Sequence, residues 1–353
     1  MSIICPLCFS NQTETYISLD YCVASNAMKV EEPVDVYLCH QCVSLFKKYQ
    51  SDTRAQKIIT EINEESTLHE EGGAVETRVA YDKYSEGIPK SDYIFEYLNQ
   101  YAELSNSGEL LDIGCHFGAF LKAFTYTYPH WNLTGCDVSD RFKSSVEGIS
   151  DKVTYIDNNL PKSKHGYDVI SMSHVLEHIE NIDYLFEFIS QNLKDDGLFF
   201  LQCNNAAQNP FLLLVFEQYY NFTETSIERL CERFGLSIER ITKNWINKEL
   251  TILIRKRQNN HLPKSKVALS DKNLTALEAN QDFFVKTVDT LQSNYKSQAI
   301  ALFGTTYAAK WFSYLPNLKI NNFVDENPEL INSMVDDKKV LSPLMNKSET
   351  LII

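Results

Sequence analysis

Glycine, proline and long apolar runs are all scarce in this chain of 353 residues. Its 12 glycines and 10 prolines are too few for a collagen-like or low-complexity chain. Because 44% of the residues are hydrophobic and 23% are charged, the composition predicts folded domains. No apolar run approaches the roughly 20 residues that a membrane helix needs. The N-terminus lacks the basic and apolar regions of a signal peptide, so we expect a cytoplasmic protein without membrane contact.

Basic side chains are also in deficit. The chain has 33 Lys and Arg against 47 Asp and Glu, a net charge of -14, and 31 of the acidic residues lie within 56–258. Nucleic-acid binding rests on Lys and Arg side chains that neutralise phosphates. The charge balance therefore argues against a nucleic-acid partner and favours a small molecule.

The cysteines do not suit a disulfide framework, since there are nine of them. Four lie in two C-x2-C pairs, namely Cys5, Cys8, Cys39 and Cys42. Paired C-x2-C turns of this kind are typical of a structural zinc site, with four thiolates and no open position for water. Zinc binding would supply the folding energy that about 50 residues cannot obtain from a core. The alternatives are two chance C-x2-C pairs or a redox pair, and because Cys22 lies outside both pairs and His40 inside one, a site of three cysteines and one histidine also remains open.

The middle of the chain alternates between strand-like and helical patterns. A helix is predicted over Ser91–Leu104 from its apolar spacing. The apolar strand Glu109–Ile113 then leads into a turn with Gly114 and Gly118 and into a second helix that ends near Tyr126. A strand, a glycine turn and a helix start together allow close approach of the backbone to a ligand and supply free N–H groups.

Three further predicted strands end in polar side chains. The first ends in Asp137, the second in Asp157, and the third, Tyr167–Ser173, leads into His174. A helix over 181–194, a turn at 195–197 and a strand over 198–202 complete the pattern. A carboxylate at the end of the second strand is suited to hydrogen-bonding the ribose hydroxyls of an adenosine.

This stretch resembles the class I S-adenosylmethionine-dependent methyltransferases, through its D-I-G-x-x-x-G, its acid closing the second strand, and D-V-I-x-x-x-x-V-L-E-H. The resemblance implies a cofactor, S-adenosylmethionine, and a Rossmann-like α/β fold. It also implies roles for individual residues. Asp112, Gly114 and Gly118 would surround the methionine part, Asp137 would bind the ribose, Asp157 the adenine amine, and His174 would line the cofactor.

Each of these assignments has a structural alternative. Asp157 could cap a helix, Gly118 could serve helix packing, and a nicotinamide cofactor is the competing ligand for the whole unit. His178, four residues beyond His174, could be a structural hydrogen-bonding residue or a catalytic base. The acid-rich stretch 61–76 is interpreted as a solvated connection to the zinc module.

The complete layout resembles the sugar C-methyltransferases, which methylate nucleotide-linked keto-deoxysugars. The matching features are the zinc module, the methyl-donor motif, the segment 216–223, and the C-terminal stretches 299–309 and 323–325. We therefore predict a zinc module over 1–55, a methyltransferase domain over 56–258, and a Rossmann-like substrate or scaffold domain over 259–353. Within the last, a strand over 299–303, Gly304, a strand ending before Asp325 and a linking helix over 271–295 are predicted.

The catalytic segment departs from that family. Its pattern of roughly Y-H-E-H-x-S-Y-F-S is here altered by Val215, Phe216 and Gln218. Carbon methylation beside a ketone requires removal of a proton, which a glutamine amide cannot accept. The remaining candidates for base chemistry are Glu217, Tyr219, Tyr220 and His178.

Two functions follow from these patterns. The first is a methyltransferase acting on a small molecule, a sugar or nucleotide-linked sugar being favoured, with a hydroxyl or amine acceptor preferred over carbon. The second is a catalytically inactive descendant that keeps the cofactor fold and serves as a binding or assembly module.

Overall fold

The structure is a computed structural model, and it describes residues 3–25, 28–66, 78–79, 87–157, 159–257, 267–296, 298–346 and 351–352. Within these residues the chain forms an N-terminal module, a central α/β domain and a C-terminal α/β unit. Every helix in these ranges is too short or too polar to cross a bilayer.

The N-terminal module is built mainly from short antiparallel strands. Its elements are β1 (Thr13–Leu19), β2 (Cys22–Val23), β3 (Lys29–Val30), β4 (Val34–Cys39), β5 (Ser44–Tyr49) and α1 (Asp52–Ser66). Strands β1, β4 and β5 pair in that order, and β2 pairs with β3 in a separate ribbon. The predicted connection at 61–76 begins inside α1, and 67–76 lies outside the described residues.

The central domain starts with short strands and a helix and continues as an alternating α/β unit. Its elements are β6 (Arg78–Val79), β7 (Ile88–Pro89), α2 (Lys90–Tyr101), β8 (Glu109–Ile113), α3 (Ala119–Thr127), β9 (Asn132–Asp137), α4 (Lys143–Glu147), β10 (Val153–Asp157), β11 (Tyr167–Ser173), α5 (Ile182–Asn192), β12 (Leu193–Asn204), β13 (Tyr220–Asn221), α6 (Glu224–Arg233), β14 (Leu236–Thr242) and β15 (Glu249–Lys256).

Seven of these strands form one sheet in the order β10-β9-β8-β11-β12-β15-β14. The first five are parallel, whereas β15 is antiparallel to β12 and β14 is antiparallel to β15. The parallel strands run in the doubly wound order, which places the reversal of strand order between β8 and β11. The predicted Rossmann-like α/β fold is confirmed.

Both faces of this sheet are buried, as the near-continuous apolar strands require. Leu111 and Met172 belong to the core that continues into α5 and the N-terminal module. Leu110 and Val169, one residue out of phase, pack instead with α2 and α3. Because successive side chains of a strand point to opposite faces of the sheet, each strand contributes residues to both cores.

The C-terminal unit follows a long helix, as predicted. Its elements are α7 (Val267–Asn294), β16 (Ala299–Phe303), α8 (Tyr307–Ser313), β17 (Lys319–Val324), β18 (Met334–Val335), β19 (Lys338–Leu341) and β20 (Leu351–Ile352), with the strand order β18-β19-β17-β16-β20. Strands β16, β17, β19 and β20 pair in parallel, and β18 pairs antiparallel with β19.

One predicted element boundary is wrong. The turn expected at 195–197 lies inside β12, which begins at Leu193. Leu193 pairs with Tyr167 and Leu198 pairs with Val169, so residues 194–197 form an insertion in the ladder. The Asp-Asp-Gly sequence therefore produces a bulge rather than the start of the strand.

Candidate functional site

The four cysteines of the two C-x2-C pairs meet at one point. Their sulfur atoms all lie within 4.8 Å of one another. Each pair forms a similar turn, in which the residue after the second cysteine, Phe9 or Val43, has a φ of 60° or 54°. The backbone N–H of that residue donates to the carbonyl of the first cysteine, at 2.9 Å from Phe9 and 2.8 Å from Val43.

The donor set and its spacing fit zinc. Four Zn–S bonds of about 2.3 Å place neighbouring sulfurs about 3.8 Å apart in a tetrahedron. The Sγ atoms are 3.7 Å apart between Cys5 and Cys42, and 3.5 Å apart between Cys8 and Cys39. His40 is not part of this cluster, because its Nε2 lies 3.1 Å from Glu14 Oε1. Cys22 is buried elsewhere in the module.

Both cysteine turns contact helix α6 of the central domain. Thr223, the N-cap of α6, donates its hydroxyl to the carbonyl of Val43 at 2.6 Å, and Arg233 in its last turn donates to the carbonyl of Leu7. The Arg233 guanidinium also lies over the Phe9 ring, 4.5 Å from its centroid. The cysteine cluster is therefore positioned to hold α6 at both of its ends.

The segment before α6 is bound by the same module. Strand β13 (Tyr220–Asn221) extends the N-terminal sheet by pairing antiparallel with β5. The backbone N–H of Phe216 donates to the carbonyl of Val23 at 2.8 Å, and the backbone N–H of Ser25 donates to Glu217 Oε1 at 2.7 Å. Residues 215–223 are thus built into the N-terminal module as well as the central domain.

The four predicted catalytic side chains lie in this region. Glu217 is 1% exposed, and the hydroxyl of Tyr219 accepts a hydrogen bond from the Gln56 amide at 2.9 Å. Tyr220 donates its hydroxyl to the carbonyl of Glu180 at 3.0 Å, and His178 ends a short 3-10 turn. Gln218, at the altered family position, is buried and accepts from the Asn221 amide at 3.1 Å.

Two carboxylates of this region, those of Glu217 itself and of the neighbouring Glu177, each have one oxygen without a hydrogen-bond partner among the described residues. Glu177 and Glu217 are 0% and 1% exposed. Within the described part of the chain, the Oε2 atom of each has no hydrogen-bond partner. The Oε1 atom of Glu177 accepts from the backbone N–H of Asn204 at 2.7 Å. Each of these two buried carboxylates therefore has one oxygen, Oε2, that could still accept a hydrogen bond.

A cleft of ≈ 1190 Å³ opens at the carboxyl ends of β8 and β11. Sheets of this type bind ligands at such a reversal of strand order. The predicted residues that line the cleft are Asp112, Gly114 and His174. The lining described for this cleft includes none of the four predicted catalytic side chains.

Asp112 is a buried carboxylate at the floor of the cleft. It is 4% exposed and accepts a hydrogen bond from the Ser171 hydroxyl at 2.7 Å. Burial raises the pKa of Asp112 to about 7, against a lowering by Ser171 and with a further rise from Asp137. A positively charged ligand group beside Asp112 would favour its ionised form.

Gly114 shapes the turn next to Asp112. Its φ is +73°, and a Cβ atom there would lie 2.1 Å from Val175 Cγ2. Both the conformation and the space therefore require glycine. Gly118 also has a positive φ, +79°, but its Cβ would meet Ile149 Cδ1 at 2.7 Å. Gly118 is the N-cap of α3 and packs against the following helical segment.

Asp137, the last residue of β9, binds the backbone of the loop that follows β8. Its two carboxylate oxygens accept from the backbone N–H groups of His116 and Val138, at 2.9 Å and 2.8 Å. Asp157, at the end of the neighbouring strand, is directly opposite Asp137 in the ladder and is exposed. The two acids stand side by side at the edge where the sequence pattern predicted an adenosine.

An aromatic cluster that the sequence did not reveal lies beside these acids. The rings of His116 and Phe142 are 4.5 Å apart, and those of Phe117 and Phe142 are 4.8 Å apart. His116 and Phe117 line the cleft. Such faces suit a flat heterocyclic base.

A second group that the sequence did not reveal forms the opposite wall. The Lys90 ammonium donates to Glu249 Oε1 at 2.7 Å and lies 2.8 Å from Nε2 of His174. Lys90 begins α2 and Glu249 begins β15, so 159 positions separate them in the sequence. No local motif could have indicated that they meet.

The C-terminal unit repeats the strand, glycine and acid arrangement. Gly304 has a φ of +85°, with nothing within 4 Å of a Cβ placed there. Asp325 accepts from the Thr305 hydroxyl at 3.1 Å and from the backbone N–H of Asn327 at 2.9 Å. Its predicted substrate or scaffold role remains a prediction.

Residues 87–241 match the family described as a methyltransferase domain. Among characterised relatives, the chain is 25% identical over 131 residues to the ubiquinone biosynthesis O-methyltransferase of Rickettsia canadensis, covering 35% of this chain and 53% of that protein. It is 28% identical over 108 residues to the (S)-coclaurine N-methyltransferase of Papaver somniferum, covering 29% of this chain and 31% of that protein. The chain thus spans about half, or less, of these relatives.

Two solved structures are similar to parts of the chain. The mitomycin 7-O-methyltransferase matches with a TM-score of 0.44 and 18% identity, over 57% of this chain and 60% of that one. An S-adenosylmethionine dependent methyltransferase from Mesorhizobium loti matches with a TM-score of 0.40 and 15% identity, over 46% of this chain and 98% of that one.

Proposed function

We propose that the chain is an S-adenosylmethionine-dependent methyltransferase that acts on a hydroxyl or amine of a small molecule. The observation that carries this proposal is the cleft at the β8 and β11 ends, which is lined by Asp112 and Gly114 and by His116, whose backbone N–H is bound by Asp137. The methyltransferase-domain match over 87–241 supports the same reaction class. We place the reaction in the cytoplasm, where thiolates of the kind the zinc site uses stay reduced.

The chain's own residues would hold the donor along this edge. Asp112 would face its positively charged part and Asp137 the ribose hydroxyls, while His116 and Phe117 would flank the adenine. When bound, S-adenosylmethionine supplies a methyl group on a sulfonium centre. The protein contributes by placing an acceptor atom in line with that methyl group and by accepting the acceptor's proton.

The acceptor class we favour is a sugar or nucleotide-linked sugar, on the strength of the three-part layout. An oxygen or nitrogen acceptor is preferred over carbon, because Gln218 cannot act as a base and its carbonyl is occupied by Asn221. The names of the relatives, which include an O- and an N-methyltransferase, are consistent with a heteroatom acceptor.

Turnover with a panel of acceptors tests this function. The protein is incubated with S-adenosylmethionine and, separately, catechol, hexoses, aminosugars and nucleotide-linked hexoses, and formation of S-adenosylhomocysteine and methylated product is followed by mass spectrometry. An O- or N-methylated product is expected. Cofactor binding without transfer to any acceptor would favour the inactive binding module, and a carbon-bound methyl group would contradict the acceptor preference.

Replacing Asp137 with alanine is expected to weaken S-adenosylmethionine binding by about 1–3 kcal/mol, the range for a charged hydrogen-bonding partner left unpaired. Asp137 also anchors the backbone of His116, so part of the loss comes from the loop. The matched control is Asp325→Ala, which removes the corresponding acid of the C-terminal unit. Calorimetry should give an unchanged affinity for the control, and equal losses would place a cofactor site in both units.

The affinity for S-adenosylmethionine is expected to rise with pH between about 6 and 8. The pKa of Asp112 is raised to about 7 in the free protein, and a cationic ligand favours the ionised carboxylate, so binding at pH 6 must release a proton. We expect binding at pH 6 to be about tenfold weaker than at pH 8. Asp112→Asn should bind more weakly and lose this pH dependence, and an unchanged dependence in the variant would refute the assignment.

A further inference from the structure

The ammonium of Lys90, at the start of α2, has one N–H group to spare. It donates to Glu249 Oε1 at 2.7 Å, and it lies 2.8 Å from His174 Nε2. Because an ammonium has three N–H groups and no lone pair, Nε2 is the acceptor of the second bond. The third N–H has no acceptor among the described residues.

This spare donor belongs to the cleft. Lys90 and His174 both line it, and the Lys90 side chain is 21% exposed. Glu249 is 9% exposed and is not part of the lining described for the cleft. The Lys90–Glu249 ion pair therefore has a buried anionic partner and a cationic partner that a ligand can reach.

Both acceptors of the Lys90 ammonium are held by strand β12. Gln202 donates its side-chain amide to Glu249 Oε2, and the Gln202 amide oxygen accepts from the Thr251 hydroxyl at 2.8 Å. The backbone carbonyl of Gln202 accepts from the backbone N–H of His174 at 2.9 Å. The lysine side chain is thus ordered before a ligand arrives, which lowers the entropic cost of binding.

The imidazole of His174 serves Lys90 as a fixed acceptor. Since Nε2 accepts from the ammonium, the proton of the neutral ring is on Nδ1. Nδ1 lies 4.0 Å from Glu177 Oε1, on a carboxylate that is 0% exposed. A buried negative charge on that side favours the same tautomer, so the ring presents its lone pair to Lys90.

A carboxylate lies across a short turn from this lysine. Asp112 lines the same cleft and directly precedes the turn at Gly114. A Cβ atom at Gly114 would lie 2.1 Å from Cγ2 of Val175, the residue that follows His174. The turn beside Asp112 therefore packs against the segment that holds Lys90, and the cleft offers an anionic and a cationic group close to one another.

We propose that Lys90 binds the carboxylate of the amino-acid part of the methyl donor, while Asp112 faces the ammonium of that part. This inference rests on the proposed methyltransferase function, and it makes Lys90 a specificity-determining residue for the donor. The donor has two positive groups and one negative group, whereas Asp112, Glu249 and Lys90 supply two negative groups and one positive group. A donor without its carboxylate leaves the third N–H of Lys90 unpaired in the occupied cleft.

Lys122 is the other lysine in the lining described for the cleft, and it is exposed on α3. Within the described residues, no ion pair or side-chain hydrogen bond orders its ammonium. An exposed and freely rotating lysine loses more side-chain freedom on binding, and solvent ions screen its charge. Lys122 is therefore the weaker anion site and the matched control for Lys90.

Calorimetry of the full chain with S-adenosylmethionine and with decarboxylated S-adenosylmethionine tests carboxylate recognition. The two ligands differ only in the carboxylate. We expect the first to bind about 10- to 100-fold more tightly, the range for a hydrogen bond to a charged group. If neither ligand binds, the proposed function itself fails. If both bind equally tightly, the cleft is a donor site but the proposal for Lys90 fails.

The variant Lys90→Met assigns the recognition to this lysine, because methionine keeps the apolar stem and removes every donor. It should lower the affinity for S-adenosylmethionine about 10- to 100-fold and leave that for the decarboxylated ligand unchanged. A lysine that only ties α2 to β15 would lower both affinities alike, and that result would overturn the proposal. If Lys90→Met does not fold, Lys90→Gln, whose amide can still donate to Glu249, gives the same comparison.

The control Lys122→Met should change neither affinity. Should Lys122→Met abolish the preference for the carboxylate while Lys90→Met retains it, the carboxylate binds at α3 and the assignment to Lys90 is wrong.

Discussion

Replacing Cys39 with alanine is expected to release the bound zinc, unfold the N-terminal module and abolish methyl transfer. Zinc binding contributes about 10–16 kcal/mol to the folding of small zinc modules, which is as large as the whole stability of a typical domain. Because β13 pairs with β5 and Thr223 bonds to Val43, segment 215–223 should lose its order as well. Metal analysis and hydrogen exchange over 215–223 measure both effects.

The affinity of Cys39→Ala for S-adenosylmethionine should change little, since the lining of the cleft comes from the central domain, from β7 and α2 through α4 and from β11, and includes no residue of the N-terminal module. Cys22→Ala is the matched control, because it replaces another fully buried cysteine of the same module that lies outside the sulfur cluster. It should keep its zinc and its protection from exchange. Retention of full metal content by Cys39→Ala would show that the cluster is not the metal site.

Replacing Gly114 with alanine is expected to reduce the affinity for S-adenosylmethionine more than 100-fold. The new methyl group would stand 2.1 Å from Val175 Cγ2 at a φ of +73°, so the turn beside Asp112 must move. A shift of this size in a site of fixed geometry costs several kcal/mol, from the backbone conformation and from overpacking together. Calorimetry measures the loss.

Gly304→Ala separates these two causes. Its φ of +85° imposes a similar backbone strain, but nothing lies within 4 Å of the added methyl group. The control should lower thermal stability modestly and leave cofactor affinity intact. A Gly114→Ala protein that binds normally would mean that the Gly114 turn does not contact the cofactor.

The order of elements could be predicted because each strand carries its own signal. The predicted strands over 153–157 and 167–173 coincide with β10 and β11, and the helix predicted over 271–295 begins four residues after the start of α7 and ends one residue after its end. The cysteine pairs were equally local, since C-x2-C spacing alone sets the turn geometry. Local patterns of this type do not depend on how distant segments meet.

The cleft wall could not be predicted for the opposite reason. Lys90 and Glu249 are brought together by the docking of α2 against an antiparallel strand that enters the sheet last in the central domain. Likewise, the sequence gives no sign that residues 220–221 complete the N-terminal sheet. The four catalytic candidates were therefore chosen by their positions in the sequence alone. The contacts of His174 with Lys90 and Glu249, in contrast, exist only in the folded structure.

The central claim is that the cleft binds the methyl donor, and calorimetric titration of the full chain with S-adenosylmethionine and S-adenosylhomocysteine tests it most directly. We expect one site per chain for each ligand, with both affinities weakened in Asp137→Ala and unchanged in Asp325→Ala. Absence of binding for both ligands at millimolar concentration, with a folded and zinc-loaded protein, would contradict the account.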